Sequence, residues 1–263
     1  MKAFGLQLFS IRDQYQSESD IRNAFLEIAK MGYTYAQTAG TYPCIAPEKF
    51  AEYAKDAGIE ICGTHYDWDL IRNDIEGTVK YHNTIGTKLI GIGGAPGLDS
   101  KEAVLNFIAE YNRLAEIYAN YGFKLTYHNH AIEGKKYEGK SILEYLIEGF
   151  SDNISFCLDS YWLQHAGFDV CDIIERIPGR IDILHLKDMA AFIPYKLEGG
   201  ATLYAPRMIE VGSGNMNFAR IIKAAEKAGA KYFIVEDEYY STGVPMESVK
   251  ISADYIKANL IEE

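Results

Sequence analysis

The sequence alternates eight times between a short apolar run and a longer segment with helical periodicity. The predicted strands cover residues 4–10, 33–39, 59–65, 87–93, 123–129, 153–159, 181–187 and 231–237. The predicted helices cover residues 20–31, 47–57, 69–85, 101–121, 141–149, 169–177, 217–228 and 245–259. Eight strand–helix units without a hairpin signal indicate parallel strands and right-handed crossovers. At 263 residues, the simplest closure is an α/β fold with one domain, a (β/α)8 barrel over residues 1–263.

A doubly wound open sheet is the alternative fold. It fits less well because no GxGxxG loop follows the first predicted strand. One long segment, residues 188–216, contains several glycines and prolines and is predicted to be an irregular loop. A loop of that length in a compact barrel is usually functional, so a lid or a substrate wall is expected there.

The charge balance bears on the class of partner. The chain has 26 basic and 37 acidic residues and a net charge of −11, which predicts that it does not bind nucleic acid. No apolar run approaches 18 residues, so no membrane span is expected. The N-terminus is interpreted as a first strand and not as a targeting peptide, which predicts a cytoplasmic protein. The four cysteines contain no CxxC pair and are expected to be buried thiols.

Polar side chains mark the ends of the last four predicted strands. These ends carry His128, Asp159, His185 and Glu236. In a (β/α)8 barrel the C-terminal strand ends form the active site. Strand alternation sends all four side chains to the interior and leaves the apolar alternate positions to pack on the helices.

Two imidazoles and two carboxylates match a mixed nitrogen and oxygen site for one divalent transition metal. Each residue alone also has a structural interpretation. His128 could be a hydrogen-bonded rim residue, Asp159 could cap the following helix, and Glu236 could belong to a solvated acidic run at residues 236–238. Four such residues on successive strands, at one depth, favour the metal site.

Several segments together resemble a known family. They are FGLQLFSIRD, KMGYTYAQTAG, YHNH, CLDSYWLQHAG, ILHLKD, EVGSGNMNF and FIVEDE. The chain resembles the xylose-isomerase-like TIM-barrel superfamily over nearly its whole length. That superfamily groups sugar and sugar phosphate isomerases and epimerases with apurinic endonucleases. The resemblance implies one divalent metal, manganese first, with zinc, cobalt or iron as alternatives.

The chain also departs from the pattern that the resemblance implies. His128 stands where the family's epimerases have a glutamate, which puts a symmetric two-glutamate epimerisation in doubt. Gln37 stands where many relatives have glutamate, and Trp162 where some epimerases have histidine.

The resemblance implies a metal-dependent carbohydrate isomerase or epimerase. Such an enzyme removes a proton next to a carbonyl and stabilises the resulting enediolate. A sugar lyase or dehydratase of the inosose or 3-oxo-glycoside type is an alternative on the same site. A non-catalytic sugar-binding or partner subunit is another. Apurinic endonuclease activity is disfavoured by the net charge and by a total of six histidines. Assembly of several copies is left open.

Four residues are candidates for proton transfer. Glu236 is the preferred base because one oxygen could bind metal while the other reaches a substrate carbon. Lys187 shares the face of His185 and could act as an acid, although a solvated rim lysine is the alternative. Glu210 and His165 are further proton carriers on this hypothesis.

Five residues are candidates for substrate contact: His65, His130, Trp162, Trp68 and Arg207. Aromatic rings suit the faces of a pyranose, and Arg207 could bind an anionic substituent. The loop EVGSGNMNF lies where barrel enzymes often bind phosphate. A plain turn with Asn215 or Asn217 as helix cap is the favoured interpretation of this loop.

Overall fold

Eight parallel strands close into a barrel in the computed structural model, which describes residues 1–262 and the side chains of all but residues 192–195 and 203. The barrel strands are β1 (Gly5–Gln7), β2 (Tyr35–Ala39), β3 (Glu60–His65), β4 (Leu89–Ile92), β5 (Lys124–His128), β6 (Ile154–Asp159), β7 (Ile181–Leu186) and β8 (Tyr232–Val235). Each strand pairs with its neighbour in the chain, and β8 pairs with β1 to close the ring. The predicted single (β/α)8 barrel is confirmed.

Ten α-helices lie in the described part of the chain. They are α1 (Glu18–Met31), α2 (Pro47–Asp56), α3 (Trp68–Asn73), α4 (Ile75–Ile85), α5 (Lys101–Asn120), α6 (Ile142–Gly149), α7 (Ser160–His165), α8 (Val170–Arg176), α9 (Phe218–Lys227) and α10 (Pro245–Asn259). No described helix is both long enough and apolar enough to cross a membrane.

The helix predicted over residues 69–85 is in fact two helices. Asp74 ends α3 and begins α4, with a backbone conformation outside the helical region (φ −131, ψ 71). Its side chain accepts a hydrogen bond from the backbone of Gly77 at 3.0 Å. An aspartate at this position therefore acts as an N-cap and restarts the helix. The helical periodicity alone did not predict the break.

Helix α1 shows how local sequence signals fix an element. The hydroxyl of Ser17 accepts a hydrogen bond from the backbone of Asp20 at 3.3 Å and caps the N-terminus. Gly32 ends the helix at φ 104, a left-handed conformation that a residue without Cβ adopts at little cost. Between these caps one apolar stripe packs on the barrel, with Ile21, Ala24, Phe25 and Ile28 buried.

The side chains of the barrel strands divide into two layers. The interior holds a small cluster of five buried residues: Cys62, Leu89, Cys157, Ile183 and Ile234. The alternate residues join the larger core between strands and helices, as Leu125, Phe156 and Leu184 do. The predicted alternation is therefore confirmed, and it directs the residues at the strand ends toward the barrel axis.

The segment predicted as an irregular loop, residues 188–216, contains an antiparallel hairpin. Strand Asp188–Lys196 pairs with strand Thr202–Ile209, with a β-bulge between Ala190 and Ile193. Pro194 and Pro206 favoured a loop, but prolines are tolerated in edge strands, where not every N–H is needed. A second, two-residue hairpin joins Lys136–Tyr137 to Lys140–Ser141.

Candidate metal centre and active site

Four ionisable side chains meet at the C-terminal ends of the last four barrel strands. His128 ends β5, Asp159 ends β6, His185 lies on β7, and Glu236 follows β8. Their possible ligand atoms all lie within 4.8 Å of one another, and all four residues are buried. The strand register aligns them, because Asp159 lies opposite His185 across β6 and β7. The structure thus brings together the four residues that the sequence proposed as metal ligands.

His185 is oriented by partners on both sides of its ring. Its Nε2 lies 2.6 Å from Oε1 of Gln37, and an amide oxygen can only accept, so Nε2 carries the proton. Its Nδ1 lies 3.0 Å from Oε2 of Glu236 and 3.7 Å from Oδ2 of Asp159. In the neutral ring, the Nδ1 lone pair thus faces two carboxylate oxygens. That arrangement is repulsive unless a proton or a cation lies between them.

Two further ligand atoms of this group have no hydrogen-bond partner among the described residues. They are Oδ2 of Asp159 and Nδ1 of His128, and both are buried. Unpaired buried polar atoms are costly, and a cation that both coordinate would remove the cost. The donor set, with two imidazoles and two carboxylates, is chemically suited to a divalent metal ion. The residues present therefore fit such an ion.

One carboxylate oxygen of Asp159 caps a helix, and the other belongs to the group of possible metal ligands. Its Oδ1 accepts a hydrogen bond from the backbone of Trp162 at 2.7 Å and caps α7, while Oδ2 stays free for the group. Asn129 supports this position from β5, because its side-chain oxygen accepts the backbone N–H of Asp159 at 2.9 Å. The residue between the two histidines of the HNH run is thus a positioning residue for Asp159.

Electrostatics holds Glu236 and His128 in forms that can bind a metal, while His185 must first lose a proton. Burial raises the pKa of Glu236, but the charges of Lys187 and His185 outweigh it and hold that pKa well below its usual value. Burial, together with nearby His185, holds the pKa of His128 well below normal. An ionised carboxylate and a neutral imidazole are the species that coordinate metals. Burial opposes protonation of His185, yet nearby negative groups, Glu236 among them, raise its pKa well above normal in the metal-free protein.

Lys187 contributes a buried positive charge to the site. Its Nζ lies 3.3 Å from Oε2 of Glu236, forms a second ion pair with Glu238, and lies 5.3 Å from the ring centre of Trp162. Burial lowers the pKa of Lys187, but Glu236, Asp159 and Glu238 raise it by more, so the side chain is an ammonium ion. Lys187 is therefore not a solvated rim lysine.

Glu238 was not singled out from the sequence. The acidic run at residues 236–238 suggested a solvated face, but Glu236 and Asp237 are only 4% and 2% exposed. The signal that could have found Glu238 is its spacing of two from Glu236, which continues the inward face of β8.

A cleft of about 490 Å³ opens beside the four-residue group, and two of its members, His128 and Glu236, line it. Its lining consists of Phe9, Ala39, Gly40, His65, Tyr66, Asp67, Gly93, His128, His130, Glu236 and Glu238. His65 and His130, both predicted substrate contacts, thus lie on the cleft wall. The ring of Trp162 lies 5.3 Å from that of His130. Burial lowers the pKa of His65 to about 3, so this imidazole is neutral.

Two of the predicted proton carriers have other contacts in this structure. Oε1 of Glu210 accepts hydrogen bonds from the backbone and hydroxyl of Ser241, each at 2.8 Å, and from the hydroxyl of Ser248 at 2.6 Å. It ties the segment after β8 to α10. His165 is exposed at the end of α7, where its ring stacks on Tyr161 at 5.4 Å. Neither residue belongs to the four-residue group, and their catalytic roles stay predictions.

Three of the predicted substrate contacts, Trp162 among them, lie outside the residues that line the cleft. Trp68 packs against Phe107 and Tyr111 of α5, with ring centres 5.6 and 5.8 Å apart. The exposed guanidinium of Arg207 lies 4.9 Å from the ring centre of Tyr239 on the hairpin side of the barrel. Their substrate-binding roles stay predictions as well.

The glycine loop at residues 212–216 holds a carboxylate of the chain itself. The side chain of Asp188 accepts hydrogen bonds from the backbones of Gly212 at 2.9 Å, Gly214 at 3.0 Å and Met216 at 3.1 Å. A Cβ at residue 214 would lie 2.4 Å from Oδ1 of Asp188, so this approach requires glycine. Asn217 caps α9 by accepting the backbone N–H of Arg220 at 3.0 Å. The loop is a turn and a cap, as favoured from the sequence.

Comparison with known proteins assigns this architecture to a family. A closed barrel of eight parallel strands, with ionisable residues gathered at the C-terminal strand ends, defines a (β/α)8 protein with a candidate active site. The model of the xylose isomerase-like TIM barrel family matches residues 25–259. The chain belongs to the xylose isomerase-like TIM barrel family. No curated protein sequence matches the chain.

Solved structures of similar proteins carry related names. A sugar phosphate isomerase/epimerase from Parabacteroides distasonis ATCC 8503 is 25% identical, with a TM-score of 0.81, and the match covers 98% of this chain and 94% of that one. A second such protein from the same organism is 22% identical over 100% of both chains, with a TM-score of 0.80. The probable 3-DHS dehydratase AsbF from Bacillus anthracis is 16% identical over 98% and 99%, with a TM-score of 0.72. The latter two, at lower identity, show the shared fold.

Proposed function

We propose that the protein is a divalent-metal-dependent isomerase or epimerase of carbohydrates that removes a proton next to a carbonyl. The observation that carries this proposal is the set of buried ligand atoms beside the cleft, in which Oδ2 of Asp159 and Nδ1 of His128 have no hydrogen-bond partner among the described residues. The family match and the relatives named sugar phosphate isomerase/epimerase support the same reaction class.

His128, Asp159, His185 and Glu236 would hold the ion. When bound, the metal supplies Lewis-acid stabilisation of negative charge that develops on substrate oxygens. Manganese is the first choice, with zinc, cobalt and iron as alternatives. The substrate is a polyhydroxylated carbonyl compound, and a cleft of about 490 Å³ is large enough for a sugar.

Glu236 is the proposed base. Its contacts with His185 and Lys187 both engage Oε2, which leaves Oε1 for a substrate proton. The ion pair with Lys187 keeps this carboxylate ionised but also weakens it as a base. The reaction therefore requires a C–H group that is already acidified by the adjacent carbonyl.

Lys187 is the proposed acid. It is the charged donor next to Glu236, and its ammonium group neutralises negative charge on an enediolate and can return a proton. His130, on the cleft wall, is the alternative carrier, since burial lowers its pKa and favours the neutral ring.

A sugar dehydratase or lyase is the second candidate function. The observation that favours it is the asymmetry of Glu236 and Lys187, a carboxylate and an ammonium 3.3 Å apart. Elimination needs a base for the C–H group and an acid for the departing oxygen, and this pair supplies both. The structural relative named as a probable 3-DHS dehydratase shares the fold.

The test is proton exchange in heavy water. Metal-loaded protein would be incubated with ketoses, aldoses, inososes and 3-oxo-glycosides, and NMR would report loss of one C–H signal. Glu236→Gln keeps the shape and removes the base, so exchange should fall by about 10²- to 10⁴-fold. Metal content must be measured beside it, because loss of the ion would mimic loss of the base. A metal-loaded variant that exchanges at the wild-type rate would show that the base lies elsewhere.

The proposal includes a small-molecule partner and not nucleic acid. With a net charge of −11, the chain has few cations with which to displace the counterions of DNA. A duplex with an abasic site should be neither bound tightly nor cut at physiological salt. Specific incision at enzyme-like rates would contradict this part of the proposal.

A further inference from the structure

A second set of donor atoms lies in the barrel next to the candidate metal centre. His65 ends β3, and Cys157 lies on β6, two residues before Asp159 on the same inward face. Together with His128 and His185, they offer ligand atoms that all lie within 4.8 Å of one another. Because residues two apart on one strand occupy successive layers, Cys157 lies one layer deeper than Asp159.

The contacts in this second set centre on the sulfur atom. Sγ of Cys157 lies 3.2 Å from Nε2 of His185 and 4.0 Å from Nε2 of His65. The ring centres of the three histidines are close, with His128 lying 4.8 Å from His65 and 4.7 Å from His185. Cys157 is fully buried, but His65 and His128 line the cleft, so an ion can enter from that side.

The two sets share His128 and His185 and differ in the other two donors. The upper set adds two carboxylates, which suit hard ions such as manganese and magnesium. The deeper set adds a thiol and a third imidazole, which suit zinc and cobalt. His185 presents Nδ1 to the upper set and Nε2 to the deeper one, so the same ring serves both.

Gln37 supports the deeper set as well as the upper one. Its side-chain nitrogen donates a hydrogen bond to Sγ of Cys157 at 3.7 Å, and its oxygen contacts Nε2 of His185. A donor aimed at the sulfur stabilises a thiolate, the form in which cysteine binds metal. When an ion binds, the thiol proton goes to solvent, and His185 loses the proton on Nε2 together with its hydrogen bond to Gln37. The neutral ring then carries its proton on Nδ1, which faces Oε2 of Glu236.

We propose that His65, His128, Cys157 and His185 form a second, softer metal position that competes with the carboxylate position for the two shared histidines. Zinc or cobalt would occupy the deeper position, while manganese would prefer the upper one. Binding requires the side chains to close by about 1 Å, since zinc bonds of about 2.0–2.3 Å place tetrahedral ligands roughly 3.5 Å apart. The proposal concerns the identity of the bound metal and is independent of the carbohydrate reaction.

Cobalt spectroscopy tests the proposal without any assay of activity. Apo-protein titrated with Co²⁺ should develop a thiolate-to-cobalt charge-transfer band in the near ultraviolet. Cys157→Ser should abolish the band, and Cys62→Ser is the matched control. Cys62 is also a buried barrel cysteine, but its Sγ contacts the backbone oxygen of Ala36 at 3.4 Å and belongs to neither set. The control should keep the band.

Competition between metals gives a second readout. Cys157→Ser should weaken zinc binding by about tenfold or more while manganese binding stays within about twofold. Asp159→Asn should show the reverse, because it removes a charged oxygen from the upper set only. His65→Gln removes one imidazole ligand of the deeper set. It replaces Cys157→Ser in the zinc measurement if that variant does not fold.

Two results would overturn the proposal. One is a Co²⁺-saturated wild type without a thiolate band. The other is a band that survives in folded Cys157→Ser, or zinc binding that is unchanged in His65→Gln. Neither result would touch the upper metal position, because manganese binding is measured separately in the same proteins.

Discussion

The two halves of the barrel differ in the chemistry of their strand ends. Strands β5 to β8 carry His128, Asp159, His185 and Glu236 at or next to their C-terminal ends, while β1 to β3 offer Gln7, Gln37 and His65. Gln7 lies opposite Gln37 in the sheet, and its side-chain nitrogen donates to Oε1 of Gln37 at 3.0 Å. The second half thus carries the charges, and the first half carries neutral hydrogen-bonding groups.

This difference assigns separate tasks to the two halves. The neutral half orients the charged one, because Gln7 contacts Gln37 and Gln37 contacts His185. It also leaves room, since Ala39, Gly40 and Gly93 line the cleft with almost no side chain. Charged side chains in both halves of the barrel would fill the space that a substrate needs and would repel one another.

The largest effect that tests this difference is expected at Lys187, the buried cation of the charged half. Lys187→Met leaves Glu238 without its cation and Glu236 with only His185 beside it, so the metal-free protein should lose about 3–5 kcal/mol of its free energy of unfolding. Bound metal should reduce the loss because it also compensates Glu236. Urea unfolding with and without metal measures both values.

Lys30→Met is the matched control for that change. Lys30 pairs with Glu27 on the exposed face of α1, with a side chain that is 70% exposed. The Lys30–Glu27 ion pair should contribute less than about 1 kcal/mol to the free energy of unfolding. Equal losses of unfolding free energy in Lys187→Met and Lys30→Met would mean that the buried ion pairs of the charged half stabilise the protein no more than a surface ion pair does.

The next largest effect is the loss of metal affinity expected when His185 is replaced. His185→Ala removes a donor atom outright and should weaken the bound ion by more than about 100-fold, because removal of a supporting partner alone costs 10–100-fold. Elemental analysis after dialysis measures the content. His82→Gln, at a buried histidine that contacts Thr64 and Thr78 on the helix side of the barrel, should keep its metal. Undiminished metal in His185→Ala would rule out the assignment.

A smaller effect is expected from the neutral half. Gln37→Ala removes the acceptor that fixes the proton on Nε2 of His185, so metal affinity should fall by about 10- to 100-fold. Gln7→Ala acts one contact further away and should cost less. If Gln7→Ala weakened metal binding as much as His185→Ala, the two halves would not have the separate tasks described above.

The smallest effect within any one pH unit concerns pH itself and a histidine outside the site. Burial lowers the pKa of His82 to about 4, so the fold favours the neutral ring. Its contribution to stability is complete above about pH 6.5 and is lost as the pH falls from there to about 4, by at most about 1.4 kcal/mol for each pH unit. Urea unfolding at several pH values should show that the free energy of unfolding falls more steeply with falling pH in the wild type than in His82→Gln. Parallel profiles would contradict the assignment.

Much of the fold was predictable because it rests on local patterns. The alternation along β6 indicated that Cys157 and Asp159 point inward, and the C-terminal strand ends of a barrel bring such residues together. The pair Lys187–Glu238 was not predictable, since it joins residues 51 positions apart and depends on the closure of β7 onto β8. Glu210 could not be placed either, because its hydrogen bonds to Ser241 and Ser248 arise only once α10 packs on the barrel.

The hydrogen bonds around Asp188 have a mechanical consequence for the hairpin at residues 188–209. Asp188 begins the hairpin and is tied to Gly212, Gly214 and Met216, while Met189 and Ala191 bond to Asn215. The first strand of the hairpin is therefore tied by hydrogen bonds to the turn at residues 212–216, and the second strand leads along the chain into the same turn. If the hairpin is the predicted lid, its movement has to bend beyond these bonds. The β-bulge between Ala190 and Ile193 interrupts the ladder there, so we expect the pivot at that point.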